Sequence, residues 1–331
     1  MDRVFIQDLP KFDLHVHLDG SLRHDTVIEL SKDSPIAGAI PRLIPAKRCS
    51  LEDYLQAFLI TVGVLQTKEA LTRCAYELCA DAAAENVIYM EIRFAPLLHL
   101  DGGLSPEEVV SAVLAGMYRA EREFGLKTGL ILCGMKQEPP DKSEAVARLG
   151  TEFIDDGVVA IDLAGPEKGY PPIRHRRAIE LARQAGLQVT IHAGESCCPG
   201  HIKQAIELGA ARIGHGVYLY RDGKTERLVL NRGIPLELCP TSNLQISGNI
   251  EGYADHPLWR YLDEGIIVTV NTDNRLMSQT SCTNELYRLT QAVPFSKERL
   301  RTILLNSVTA AFASKDTKIL LKRQVEAALG D

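Results

Sequence analysis

The 331-residue chain contains no Cys-x-x-Cys pair. Its eight cysteines, Cys49, Cys74, Cys79, Cys133, Cys197, Cys198, Cys239 and Cys282, include several in apolar runs, such as Leu132-Cys133-Gly134 and Leu238-Cys239-Pro240. They read as small, buried, reduced hydrophobes. No apolar stretch approaches the ~20 residues that cross a bilayer, which excludes a spanning helix. The opening Met1-Asp2-Arg3-Val4 lacks the basic-then-apolar pattern of a signal peptide. A soluble, reducing, cytoplasmic setting is expected. No block of like charge is long enough to form a tail. The formal net charge is -6; a nucleic-acid groove needs a basic face, so nucleic acid is an unsuitable partner. Internal repeats, low-complexity tracts and a domain boundary are also missing, so one domain is expected over residues 1–331.

Apolar residues make up 45% of the chain, enough for a large core. Strand-like runs occur at 12–18, 87–94, 128–135, 158–163, 188–192, 212–219, 235–239 and 266–271. Most are nearly continuous in Val, Ile and Leu, as in strands buried on both faces of a parallel sheet. Helical patterns fill the gaps at 67–85, 105–124, 172–184, 201–208 and 224–231. The second of these opens with Ser105 as N-cap, Pro106 at the first helical position and Glu107 and Glu108 in the first turn. Eight strands alternating with helices predict an α/β fold, a (β/α)8 TIM barrel, with a doubly wound open sheet as competitor. The first strand-to-helix turn, Leu18-Asp19-Gly20-Ser21-Leu22-Arg23, is not a G-x-G-x-x-G loop. An extra excursion at 31–50, followed by a helical pattern at 51–64, lies between the first two strands. It reads as a lid over substrate or as a surface insertion.

Four of the nine histidines stand out by position. His15 and His17 end the first strand, His192 ends the fifth, and His215 lies in the sixth. Asp273 follows the eighth. In a parallel barrel all C-terminal strand ends open on one face, so these residues converge. Residues two apart on a strand point to one side, so His15 and His17 can reach one ion. Such a pair alone also fits an ordinary polar strand end. Joined by His192 and Asp273, it makes a donor set suited to Zn2+, with a position left for water of pKa ~7. Glu195, in His192-Ala193-Gly194-Glu195, reads as a general acid raised in pKa by burial, or as a plain helix N-terminal carboxylate. Gly194 permits close approach. His215, flanked by Gly214 and Gly216, reads as a general base or as a core histidine bonded to a carbonyl. His24, His99, His175, His201 and His256 are assigned no role. The H-x-E and P-C-x-x-C motifs of cytidine-type zinc deaminases are missing. Ile161-Asp162-Leu163-Ala164-Gly165 holds no lysine to bridge two metals, which favours one.

The segment Pro10-Lys11-Phe12-Asp13-Leu14-His15-Val16-His17-Leu18-Asp19-Gly20-Ser21 resembles the opening signature of adenosine deaminases. So do Asp162-Leu163-Ala164-Gly165, His192-Ala193-Gly194-Glu195, Arg212-Ile213-Gly214-His215-Gly216, Cys239-Pro240-Thr241-Ser242-Asn243 and Asn271-Thr272-Asp273. The resemblance runs over about residues 9–315. It implies a single-zinc barrel of the amidohydrolase superfamily that turns adenosine or 2′-deoxyadenosine into the inosine counterpart and ammonia. His15, His17, His192 and Asp273 then hold one Zn2+ per chain. His215 and Asp273 orient and deprotonate water, Glu195 protonates purine N1, and hydroxide attacks C6. Gly165 offers its N–H to purine N3, Asp19 binds the ribose 5′-hydroxyl, and His17 lies against the substrate. The only partner implied is a small purine nucleoside; no nucleic acid and no membrane are expected. Leu51, Tyr54, Leu55 and Phe58 resemble an apolar gate over the purine, although a core-facing stripe has the same spacing. The chain departs from the family at Asn274, where the best-known members carry aspartate. An amide donates to N7 without first being protonated. Asn274 leaves room for another 6-aminopurine, such as adenine or aminodeoxyfutalosine. A catalytically dead receptor on this fold and an amide or ester hydrolase are the readings from other classes.

Overall fold

The structure, a computed structural model, describes residues 1–32, 34–246 and 248–329. Among them eight strands form one sheet: β1 Lys11–His17, β2 Val87–Phe94, β3 Lys127–Met135, β4 Val158–Ala164, β5 Gln188–Ala193, β6 Arg212–His215, β7 Leu236–Leu238 and β8 Val268–Val270. They pair in parallel and in chain order. The ring closes through a parallel bridge between Val16 and Asp273. There His17 N donates to Asp273 O at 2.7 Å and Asp273 N to His15 O at 2.8 Å. The expected (β/α)8 barrel is the fold.

The strands are buried on both faces because helices cover the outside and side chains fill the inside. β1 is buried along its whole length. Helix Pro106–Phe124 opens on the expected N-cap, Ser105, which forms a capping box with Glu108, each satisfying the other's backbone N–H, and it stops at left-handed Gly125. It packs Val109, Val113, Met117 and Ala120 inward against helix Lys68–Ala84, capped by Thr67. Further helices Cys282–Ala292, Lys297–Ala310 and Lys315–Leu329 complete the chain, and the first two lie against the β1 and β8 side.

Two expectations change. The sixth strand ends at His215 rather than 219, because His215 (φ 63°) and Gly216 (φ 73°) turn the backbone into a 3-10 segment, Val217–Arg221. The pattern at 51–64 is two short helices, Leu51–Gln56 and Phe58–Val64, broken at Ala57. Within the excursion at 31–50, Pro35–Arg42 form a 3-10 helix that packs on Phe58–Val64; Asp33 of that excursion lies outside the described residues, as do Ser247, Gly330 and Asp331. No helix among the described residues is long and apolar enough to cross a membrane.

Candidate active site

The C-terminal ends of β1, β5, β6 and β8 deliver His15, His17, His192, His215 and Asp273 to one face of the barrel. One ligand atom from each of His15, His17, His192 and Asp273 lies within 4.8 Å of the others, and all four residues are buried. His17 Nε2 and His192 Nε2 face each other at 3.2 Å. Asp273 Oδ1 lies 3.5 Å from His15 Nε2 and 3.5 Å from His17 Nε2. His15 Nε2 has no hydrogen-bond partner. Buried polar atoms are rarely left unpaired, so inward-facing imidazole nitrogens of this kind fit a cation at their centre. Three nitrogens and one carboxylate oxygen suit zinc.

The far sides of these rings explain how they are held. His15 Nδ1 is hydrogen-bonded to Glu237 Oε2 at 2.8 Å. His192 Nδ1 lies 2.8 Å from Asp162 Oδ2, close but poorly aligned for a straight hydrogen bond. A carboxylate behind Nδ1 keeps the proton there and leaves Nε2 with its lone pair toward the metal. Arg93, fully buried, joins the two carboxylates: Nη1 donates to Asp162 Oδ2 and Nη2 to Glu237 Oε2, each at 2.8 Å. Arg212 Nε donates to the other oxygen of Glu237 at 2.6 Å. Burial holds His17 and His192 below the usual imidazole range, despite Asp273 and Asp162 beside them, so both stay neutral as ligands must. His15 is raised: burial and Arg93 pull it down, but Asp273 and Glu237 outweigh them. Ser242 Oγ donates to Asp273 Oδ2 at 2.5 Å.

His215 Nε2 lies 3.4 Å from Glu195 Oε1. Burial lifts the Glu195 carboxyl well above the usual range, with the Asp273 charge adding to it. Burial, and then His15, push His215 well down, so it is neutral. Asn243 Oδ1 accepts from Cys239 N at 3.2 Å and sits 3.3 Å from His256 Nε2. The opposite end of that amide, Nδ2, donates to His215 Nδ1 at 3.0 Å. His256 Nδ1 accepts from Leu258 N, which leaves its Nε2 as the donor to Asn243. A neutral His215 that accepts at Nδ1 carries its hydrogen at Nε2. Toward the cavity it thus presents an Nε2–H donor. Gly214 permits the packing behind it: a Cβ there would lie 3.2 Å from His15 Cε1 and 3.1 Å from His192 Cα.

A cavity of ≈ 240 Å³ opens beside these groups. His17, Asp19, Gly165, His192, Glu195, Asp273 and Asn274 line it, so the site residues named from sequence meet there, with His15 and His215 directly behind. Leu51, Tyr54, Leu55 and Phe58 form one wall, and Phe58 meets His17 edge-on at 6.1 Å. Burial raises Asp19 to about 7. Asn274 is 2% exposed and its Oδ1 has no partner.

Sequence reasoning gave no role to Arg93, Glu237, Glu167 or His256. It also assigned every cysteine as reduced, whereas Cys197 and Cys198 are joined by a disulfide just past Glu195. The adjacent pair has no Cys-x-x-Cys spacing, so the sequence alone reads it as two small hydrophobes. The other six carry free thiols among the described residues.

The family model for adenosine deaminase matches residues 10–328. An adenosine deaminase of Clostridium botulinum (strain 657 / Type Ba4) is 43% identical over 327 residues, covering 96% of this chain and 98% of its own. Among solved structures, an adenine deaminase from Arthrobacter aurescens has a TM-score of 0.90 at 26% identity, covering 98% of this chain and 100% of its own. An amidohydrolase from Burkhoderia ambifaria with bound Zn has a TM-score of 0.89 at 25% identity, covering 99% and 95%.

Proposed function

This chain belongs to the adenosine deaminase family, and on that premise we propose that it hydrolytically deaminates adenosine and 2′-deoxyadenosine, yielding inosine or 2′-deoxyinosine and ammonia. The observation that carries the reading is a metal-type cluster of His15, His17, His192 and Asp273 sharing one cavity with Glu195, whose carboxyl burial raises well above the usual range.

In this reading the four residues hold one zinc ion. Zinc bound there supplies Lewis acidity that brings the pKa of a water to about 7. Glu195 donates its proton to purine N1, which draws electron density from C6. Asp273 takes the proton of the attacking water, and the Nε2–H of His215 orients that oxygen and meets the charge growing on it. Water oxygen bonds to C6, the proton held by Asp273 passes to the amino group as the C6–N bond breaks to release ammonia, and the hydroxyl proton returns to the Glu195 carboxylate as C6 becomes a carbonyl. Gly165 donates its N–H to N3, Asn274 donates its amide to N7, and Asp19 receives the 5′-hydroxyl. His17 packs along the ring as well as ligating. Residues 1–331 act as one functional domain, in the cytoplasm, where the free thiols of Cys74, Cys79, Cys133, Cys239 and Cys282 stay buried and reduced.

A deaminase of another 6-aminopurine is the second reading. It is favoured by Asn274 and by the adenine deaminase among the structural neighbours. Asp19 and the 43% identity to an adenosine deaminase favour the nucleoside. Rates on adenosine, adenine and aminodeoxyfutalosine with purified, metal-analysed protein decide between them. Adenosine is expected to have the highest kcat/KM; if it is the poorest of the three, the proposal fails.

A further inference from the structure

Four successive backbone N–H groups point at one buried carboxylate. Glu167 follows β4 in Gly165-Pro166-Glu167 and is fully buried. Its Oε1 accepts from Gly194 N at 2.5 Å. Its Oε2 accepts from Glu195 N at 3.1 Å, Ser196 N at 3.0 Å and Cys197 N at 3.1 Å, and from Ser196 Oγ at 3.4 Å. His201 Nδ1 lies 3.6 Å from Oε1. Consecutive N–H groups turned toward one point make an anion-binding concavity. Here the anion belongs to the chain itself. Burial alone would raise the Glu167 carboxyl, but His201, Lys136 and the N–H groups of Ser196 and Gly194 outweigh it and leave it lowered.

The turn these N–H groups form is the one that carries Glu195. It is tightly specified: Gly194 has φ +65°, and a Cβ there would lie 2.5 Å from Ile202 Cδ1. We propose that Glu167 is a positioning residue for the reaction: its carboxylate locks the 194–197 turn and so aims the Glu195 carboxyl at the purine ring. The inference rests on the deaminase reading above. A carboxylate suits the task because it offers about four lone-pair sites and charge-assisted bonds. Glutamine offers one oxygen and turns an NH2 group toward donors, so part of the set must break. Aspartate keeps the charge on a stem one carbon shorter. Misplacing a reacting group by about 1 Å costs roughly 10²-fold in rate.

The test compares Glu167→Gln, Glu167→Asp, Glu195→Gln and the double variant Glu167→Gln/Glu195→Gln, each zinc-loaded and checked for metal content. Glu167→Gln is expected to lower kcat on adenosine about 30- to 100-fold. Its KM and its inhibition by inosine should stay within about threefold of wild type, and Glu167→Asp should recover part of the rate. In the Glu195→Gln background, Glu167→Gln should add less than about threefold, since two groups acting through one contact are not additive. The inference is overturned if Glu167→Gln keeps kcat within threefold of wild type, or if its whole loss recurs in the Glu195→Gln background. If Glu167→Gln does not fold, Glu167→Asp is measured in the same two backgrounds by the same criteria. Wild-type kcat in Glu195→Gln alone sinks the acid assignment, and the inference with it. A slow Glu195→Gln beside an unaffected Glu167→Gln sinks only the positioning role.

Discussion

Replacing Arg93 with methionine asks whether one buried cation holds two metal ligands in place. Arg93 donates to Asp162 Oδ2 and Glu237 Oε2, each at 2.8 Å, and to Leu14 O at 2.6 Å. Those same two oxygens lie 2.8 Å from His192 Nδ1 and His15 Nδ1. Methionine fills much of the space of the arginine stem but brings no charge. Glu237 keeps Arg212, whereas Asp162 loses its guanidinium. Removing one partner of a buried pair costs about 3–5 kcal/mol, because the other charge stays behind. At about 2.1 cal/mol/K per residue, unfolding entropy for a chain of this length is roughly 0.7 kcal/mol/K, so Tm should fall by about 4–7 °C. Losing the groups that orient metal ligands should weaken zinc binding about 10- to 100-fold. Chelator competition measures the affinity, and calorimetry on the same samples measures Tm. Arg93→Lys keeps the charge but not the two-armed geometry, and should fall between. A methionine variant that binds zinc as tightly as wild type would refute the reasoning, whatever its Tm.

Stripping the metal should abolish deamination and lower Tm, by up to about 4 kcal/mol of stability where free zinc stood at 1,000 times its Kd; full activity in metal-free protein overturns the zinc assignment. Asn274→Ala should lower kcat/KM on adenosine about five- to tenfold at unchanged zinc content, the worth of one hydrogen bond; an unchanged value removes Asn274 from the purine contacts. Gly214→Ala, with its new Cβ against His15 and His192, should weaken zinc binding measurably by the same chelator assay, and wild-type affinity refutes the close-approach argument. His256 titrates at about 3 because it is buried, against 6.5 ordinarily. A depressed histidine favours the folded state above its unfolded pKa, and that support drains away as pH falls from about 6.5 toward 3. Between pH 7 and 5 the loss is about 2 kcal/mol. Urea unfolding of His256→Gln should show a shallower acid decline than wild type by about that amount; parallel pH curves contradict the sign.

The strands were legible because burial on both faces leaves unbroken apolar runs. The cluster of His15, His17, His192 and Asp273 was legible because residues at strand ends of a parallel barrel must share one rim. The sixth strand is shorter than its apolar run for a local reason. Val217, Tyr218 and Leu219 continue its apolar run, but positive φ at His215 and Gly216 turns them aside. The groups behind the ligands were harder to see, since no periodicity says which carboxylate meets which imidazole. A signal existed nonetheless. Glu91 and Arg93 interrupt β2, Asp162 interrupts β4 and Glu237 interrupts β7, each among apolar neighbours. A charge inside a strand buried on both faces must be paired, so these residues had to find one another inside the barrel. Glu167 gave no such signal, because its partners are backbone N–H groups, which every sequence supplies.

Asp273 is both a proposed ligand and the residue through which the barrel closes. Its N–H donates to His15 O and its carbonyl accepts from His17 N. Three of the four ligands are therefore joined by ladder hydrogen bonds rather than by flexible loops. Asp273 also has φ 61°, an unfavourable value for a residue with a side chain. The two closing bonds hold it there, so the carboxylate is aimed before any metal or substrate arrives. That is the preorganisation an electrostatic mechanism needs. Most of the cavity wall is built differently. Leu51, Tyr54, Leu55 and Phe58 stand on two short helices outside the ladder, and Asn274 begins the loop after it. Substitutions there can change which purine fits without moving a ligand. Divergence in substrate choice should accordingly fall on Asn274 and the 51–58 wall, while the metal cluster and its carboxylate backing stay fixed.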